Sequence, residues 1–136
     1  MKITSATEME RHIKDLCGAH QIEIGSHSRG GRAFRKTRRI DIRPVKSAVT
    51  YAVALHEIGH ILGKNQKRPC LERETGAWKW AKKTSLFWDG RMEEKMRLCL
   101  ASYYRAACRR KRMVMPGPDH DYWQMARIEP PKVAQD

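Results

Sequence analysis

Apolar and polar residues change period several times along this chain, and each change marks an element. Over residues 5–20, Met9, Ile13 and Leu16 recur at helical spacing with Cys17 beside them, predicting a short amphipathic helix capped by Ser5 or Thr7. "QIEIGSHS" then alternates apolar and polar residues, the period of a half-buried strand. Gly30-Gly31 reads as a turn, and "RAFRKTRRIDIR" supplies two further extended pieces, around Phe34 and around Ile40 and Ile42. Pro44 closes that segment; lacking an N–H donor, it suits the end of an edge strand.

Helical periods dominate the rest. Ser47 is a good N-cap for a helix over 48–62, with Gly63 placed as its C′ residue. A basic loop, "KNQKRPC", leads to a helix from about 71 to 86, and another runs from an Asp89 cap to about 112. Met96, Leu100, Tyr103 or Tyr104, and Ala107 form the inward stripe of that last helix. "MPGPDHDYW" breaks it. The order is helix, small sheet, then three helices, an α+β fold with a small antiparallel or mixed sheet packed on the 48–62 helix. One domain over 1–115 and an irregular, loosely held tail over 116–136 is the expected division.

Composition narrows the class. The 136 residues suit one compact domain, and no apolar run is long enough for a membrane span. The first residues lack the apolar core of a secretory signal, so a cytoplasmic protein is the expectation. Cysteines 17, 70, 99 and 108 form no CxxC pair, and reduced thiols serving mostly as buried apolar fillers are expected. A net charge of +13 adds the largest change to the picture. Lysines and arginines concentrate in 28–44, 79–83 and 105–112, which favours an anionic partner such as nucleic acid or an acidic protein segment.

The chemistry lies in "ALHEIGHILG". His56 and His60 are four apart, one turn on a single helix face, where two imidazoles can converge on one zinc ion. Glu57, beside the first histidine, is placed to act as a base on water without ligating. The rival reading is a buried helix whose histidines hydrogen-bond locally. Gly59, costly in a helix interior, implies that another backbone or side chain approaches closely.

A third ligand must come from elsewhere. Gln66 stands where a metzincin would have its third histidine, which rejects that pattern. Cys70 is one alternative. "LERETGAWKWA" offers the other, with Glu74 preferred and Glu72 as the fallback. Ala77, one turn beyond Glu74, would let two helices pack closely.

"HEIGH" followed by "ExxAxxWA" resembles the ImmA/IrrE family of metallo-endopeptidases, over roughly residues 45–85. The resemblance implies a minimal zincin-like domain, one Zn2+ held by His56, His60 and Glu74, and Glu57 as general base. It implies a protein substrate, a repressor or another DNA-associated regulator, since understood family members cleave helix-turn-helix repressors. This chain departs from the family pattern at Trp78, where a polar residue usually supports a ligand histidine; that support must come from elsewhere.

The weaker candidates complete the reading. Tyr103, Tyr104, His120 and Tyr122 are the candidates for a second oxyanion donor. "TRRIDIRP" reads as an edge strand able to pair with an extended substrate, its arginines either selecting acidic flanks or guarding the edge. Asp119-His120-Asp121 reads as a surface turn, and Trp78, Trp80, Phe87 and Trp88 as core. The alternative function is a basic nucleic-acid- or protein-binding module, of the phage-encoded inhibitor type, on the same scaffold with a structural or vestigial metal site.

Overall fold

The computed structural model describes residues 4–109 and 114–131. The described elements run α1 (Ala6–Ala19), β1 (Glu23–Ser26), β2 (Gly31–Phe34), β3 (Arg39–Ile42), α2 (Ala48–Leu62), α3 (Cys70–Thr84), α4 (Gly90–Arg109) and α5 (Asp121–Ala126). The α+β expectation is met by these five helices and a three-stranded mixed sheet.

Local chemistry sets most boundaries. Ser5 rather than Thr7 caps α1: its Oγ accepts from the Glu8 N–H at 3.1 Å, and the Glu8 carboxylate accepts from the Ser5 N–H. Ser47 and Thr50 repeat the same reciprocal cap on α2. Asp89 starts α4 by accepting from the N–H groups of Arg91 and Met92.

The strand order is β1-β3-β2, with β3 parallel to β1 and antiparallel to β2. The expected edge strand is therefore the centre of the sheet. "TRRIDIRP" has hydrogen-bonded neighbours on both sides, and Pro44 follows a central strand rather than an edge. The parallel β1–β3 pair requires a crossover, and β1 and β2 are the two edge strands, β2 being the one that packs on α2. Of the arginines on that segment, Arg39 pairs with Asp41 at 2.7 Å and Arg38 donates to the His20 carbonyl at 2.6 Å.

Helix α2 is the axis of the molecule. Tyr51, Ala52, Ala54, Leu55 and Ile58 are completely buried, so this helix is apolar almost all round, as a helix enclosed by other elements must be. It packs against α1, the sheet, α3 and α4. Its closest neighbour is α3: a Cβ built on Gly59 would lie 2.5 Å from the Ala77 carbonyl oxygen. Gly59 is thus explained by the backbone approach that its position implied. Gly63 differs from expectation. It is the C-cap itself, in extended rather than left-handed backbone, and a Cβ there would meet the Gly59 and Gly76 carbonyls.

The segment after α4 is not irregular throughout. Over 121–126 the chain forms α5, which buries Tyr122 and Trp123. The Tyr122 hydroxyl donates to the Leu100 carbonyl at 2.6 Å, and the Trp123 indole N–H to the Gly117 carbonyl at 2.9 Å. Lys79 of α3 forms an ion pair with Asp121. Apolar burial of two aromatics outweighs the Pro-Gly-Pro interruption that made this stretch look loose. Of the cysteines, Cys17 is buried, Cys70 and Cys99 are half-buried and Cys108 is exposed, so burial is less general than expected. Among the described residues no helix is long and apolar enough to cross a membrane.

Candidate metal centre

Where α2 emerges from the core, His56, Glu57 and His60 form a cluster whose ligand atoms all lie within 4.8 Å of one another. Helix α3 crosses in front and brings the Glu74 carboxylate to the same point. Glu74 Oε2 is 2.8 Å from His60 Nε2 and 3.2 Å from His56 Nε2, and the two imidazole nitrogens are 3.1 Å apart. His56, Glu57 and Glu74 are all more than nine-tenths buried.

Of the other sequence alternatives, Glu72 points elsewhere. Glu72, on the outer side of α3, faces Arg68 at 3.4 Å and His120 at 4.0 Å. Cys70 is the first residue of α3, a full turn before Glu74. Tyr103 of α4 does line the cleft with Glu57, His60 and Glu74. Tyr104 packs on Trp123, Tyr122 is committed to Leu100, and His120 caps α5 through its Nδ1.

Three atoms forming a triangle with edges of 2.8–3.2 Å frame a point that a small cation could occupy. Glu74 Oε2 is completely buried yet has no properly directed hydrogen bond, a state that costs about 1–3 kcal/mol when nothing compensates. Ligand atoms about 2.0–2.1 Å from a tetrahedral ion stand about 3.3 Å apart. The triangle is close to that size, and one neutral imidazole pair with one carboxylate is a donor set that suits a divalent metal.

Gln66 fixes the chemistry of one ligand atom. Its Nε2 donates to the carbonyls of Lys64 and Arg73, both at 2.9 Å, so the amide orientation is set by two acceptors. Its Oε1 can then only accept, and it lies 2.9 Å from His60 Nδ1. His60 therefore carries a proton on Nδ1 and directs Nε2 at the cluster, the arrangement that makes a histidine a metal ligand. Sequence reasoning used Gln66 only to reject a metzincin. Its real role depends on the fold of the 63–69 loop, which no periodicity reveals.

His56 has no such support. Its Nδ1 is buried without a partner, and its ring lies on the Trp78 indole with centroids 4.2 Å apart and planes 22° from parallel. The polar support that Trp78 cannot supply is thus replaced for His60 by Gln66, and for His56 by stacking alone.

Burial and mutual charge set the protonation states. Burial pushes the Glu57 carboxyl from 4.5 up to about 7, and the nearby Glu74 charge acts in the same direction. Burial lowers the His56 imidazole below its ordinary value despite the adjacent Glu74. Burial also opposes charge on His60, but the Glu74 carboxylate outweighs it and the pKa rises. Glu74 itself would be raised by burial, yet the two imidazoles hold it well below the usual carboxylate range. Without a metal, the second proton of His60 thus occupies the Nε2 position that an ion would take, so proton and metal compete there.

The cleft over this cluster has a volume of about 510 Å³. Its far wall is β2, whose Gly31 stands so close that a Cβ there would lie 2.7 Å from Glu57 Oε2. The chain matches no protein-family model, and no curated protein or solved structure is detectably similar to it.

Proposed function

We propose that this chain is a zinc-dependent endopeptidase of the ImmA/IrrE, zincin-like type, acting on a protein substrate. The observation that carries the reading is the convergence of His56 Nε2, His60 Nε2 and Glu74 Oε2 within 3.2 Å, with Glu57 beside them at the floor of an open cleft. In this reading His56, His60 and Glu74 hold the ion and Glu57 does not. When bound, zinc supplies the Lewis acidity that activates water and polarises a carbonyl at neutral pH.

The chain's own residues do the rest. Glu57, with a carboxyl that titrates near 7, takes a proton from the attacking water and returns it to the leaving amine. Tyr103 lines the same cleft, and burial together with the nearby Glu74 charge pushes its pKa upward, so it stays a hydroxyl donor. That donor is suited to the oxyanion that develops on the scissile carbonyl. The free edge of β2, one side of which packs on Glu57, offers main-chain N–H and C=O groups to an extended substrate. A glycine at position 31 keeps that approach open.

The test is metal content by plasma mass spectrometry on untagged protein purified without added metal. One zinc per chain is expected in wild type, Glu57→Gln and Glu72→Ala, and none in Glu74→Ala. Zinc retained by Glu74→Ala removes the ligand assignment, and absence of metal from every sample after reconstitution overturns the reading. The charge of +13 favours a second reading, a basic nucleic-acid-binding module, which predicts salt-dependent DNA binding that is indifferent to Glu57→Gln.

A further inference from the structure

Both walls of the cleft carry arginines. Arg32 on β2 and Arg35 just beyond it stand on the strand side, and Arg73 of α3 stands opposite, around the floor occupied by Glu57 and Glu74. None of the three is paired with a carboxylate among the described residues, whereas Arg39, Arg68, Arg91 and Arg97 each are. Two of them are held in place. The Arg32 guanidinium lies 5.2 Å from the centre of the Phe34 ring, and Arg35 donates to the Gln66 carbonyl at 3.1 Å. The residue that orients His60 therefore also anchors one of the three cations.

We propose that this cleft selects an extended peptide segment with acidic side chains flanking the bond placed over Glu57, and that Arg32, Arg35 and Arg73 determine that specificity. The proposal deepens the peptidase reading and rests on it for the bond that is cut. One feature favours a peptide over a nucleic acid. The β2 wall is a free strand edge, whose ladder of hydrogen-bonding groups matches another strand. Acidic side chains projecting to the β2 wall then meet cations whose positions are already set, which reduces the ordering that binding requires.

The experiment uses the full chain loaded with zinc and carrying Glu57→Gln to stop turnover. Fluorescence anisotropy follows a labelled peptide rich in Asp and Glu, its Asn and Gln counterpart, and a short duplex DNA. The acidic peptide is expected to bind about tenfold or more tightly than its amide counterpart at low salt, and Arg32→Gln with Arg73→Gln is expected to bring the two near parity. Equal binding of the two peptides to the unmutated cleft overturns the proposal, and that comparison needs no arginine variant to fold. DNA that displaces the acidic peptide and loses affinity with the same arginines overturns it too, by assigning the cations to phosphate.

Cleavage by zinc-loaded wild type separates the two readings. Cleavage with equal kcat/KM for both peptides sinks the acidic selectivity and leaves the peptidase intact. Failure to cut any peptide counts against the peptidase alone, and the binding comparison still decides this proposal.

Discussion

Replacing Gly59 by alanine sets two physical effects of opposite sign against each other. In a helix interior alanine is favoured over glycine by about 1 kcal/mol, so propensity alone makes Gly59→Ala stabilising. The structure says otherwise. The added Cβ would lie 2.5 Å from the Ala77 oxygen and 3.1 Å from its carbonyl carbon and Cα, all backbone atoms that no rotamer change can move. A relaxed C···O contact is about 3.3 Å or more, so α3 must retreat by roughly 0.8 Å. Overpacking of this kind costs about 1–3 kcal/mol. The net expectation is a loss of up to about 2 kcal/mol, a fall in Tm of up to about 8 °C for a chain of this size. Gly18→Ala is the control, because a Cβ at Gly18 in α1 has nothing within 4 Å. It should gain up to about 1 kcal/mol. Glu74 rides on α3 one turn before Ala77, so the same displacement should weaken zinc binding about tenfold or more, since ligand distances tolerate only about 0.2 Å. Urea unfolding of the metal-free proteins and competition titration with a zinc chelator read the two effects. A Gly59→Ala protein as stable as Gly18→Ala, with unchanged zinc affinity, would refute the close approach of α2 and α3.

Three further outcomes follow from the site. Gln66→Met keeps the bulk but removes the acceptor for His60 Nδ1 and the donors to the Lys64 and Arg73 carbonyls; zinc affinity should fall about 10- to 100-fold, measured by chelator competition. Glu57→Gln should change the pH dependence of stability in the metal-free protein. The carboxyl is raised from 4.5 to about 7 on folding, so its contribution is complete below 4.5 and is lost as pH rises through 7. The variant should therefore be more stable than wild type at pH ~8 by up to about 3 kcal/mol, with the difference vanishing below 4.5; a constant difference across that window in urea unfolding would be contrary to a buried, neutral Glu57. Tyr103→Phe should lower kcat about 100-fold or more while leaving metal content at one zinc, whereas equal loss in KM and kcat would point to a packing role.

Much of the fold was legible because its helices carry local signals. Ser5, Ser47 and Asp89 are cap residues whose side chains meet backbone N–H groups only a few positions away, so sequence contains the whole interaction. The sheet order was not legible in this way. The alternation in β3 shows that Ile40 and Ile42 face a core, but not that strands on both sides pair with it, because the parallel β1–β3 contact is made across a crossover. Helix α5 was missed because six residues between proline-rich flanks contain too little periodicity; burial of Tyr122 and Trp123 holds it. At the site, the i,i+4 spacing of His56 and His60 brings both imidazoles to one point, and the following helix brings Glu74 there. Gln66, Arg32 and Arg35 came from loop and strand positions, and Arg73 from a helix face, whose neighbours depend on tertiary structure.

All three proposed ligand residues lie within one pair of consecutive helices joined by the 63–69 loop. A bound ion would then act as a cross-link that closes a short length of chain, comparable in its entropic effect to a disulfide between neighbours in sequence. Such a clasp restrains the α2–α3 hairpin far more than it restrains the sheet or α1. Withdrawal of the ion should therefore release α3 and the loop first, with hydrogen exchange rising there while Ile40 and Ile13 remain protected. Because the contacts concerned are near in sequence, the hairpin can also close early as the chain folds.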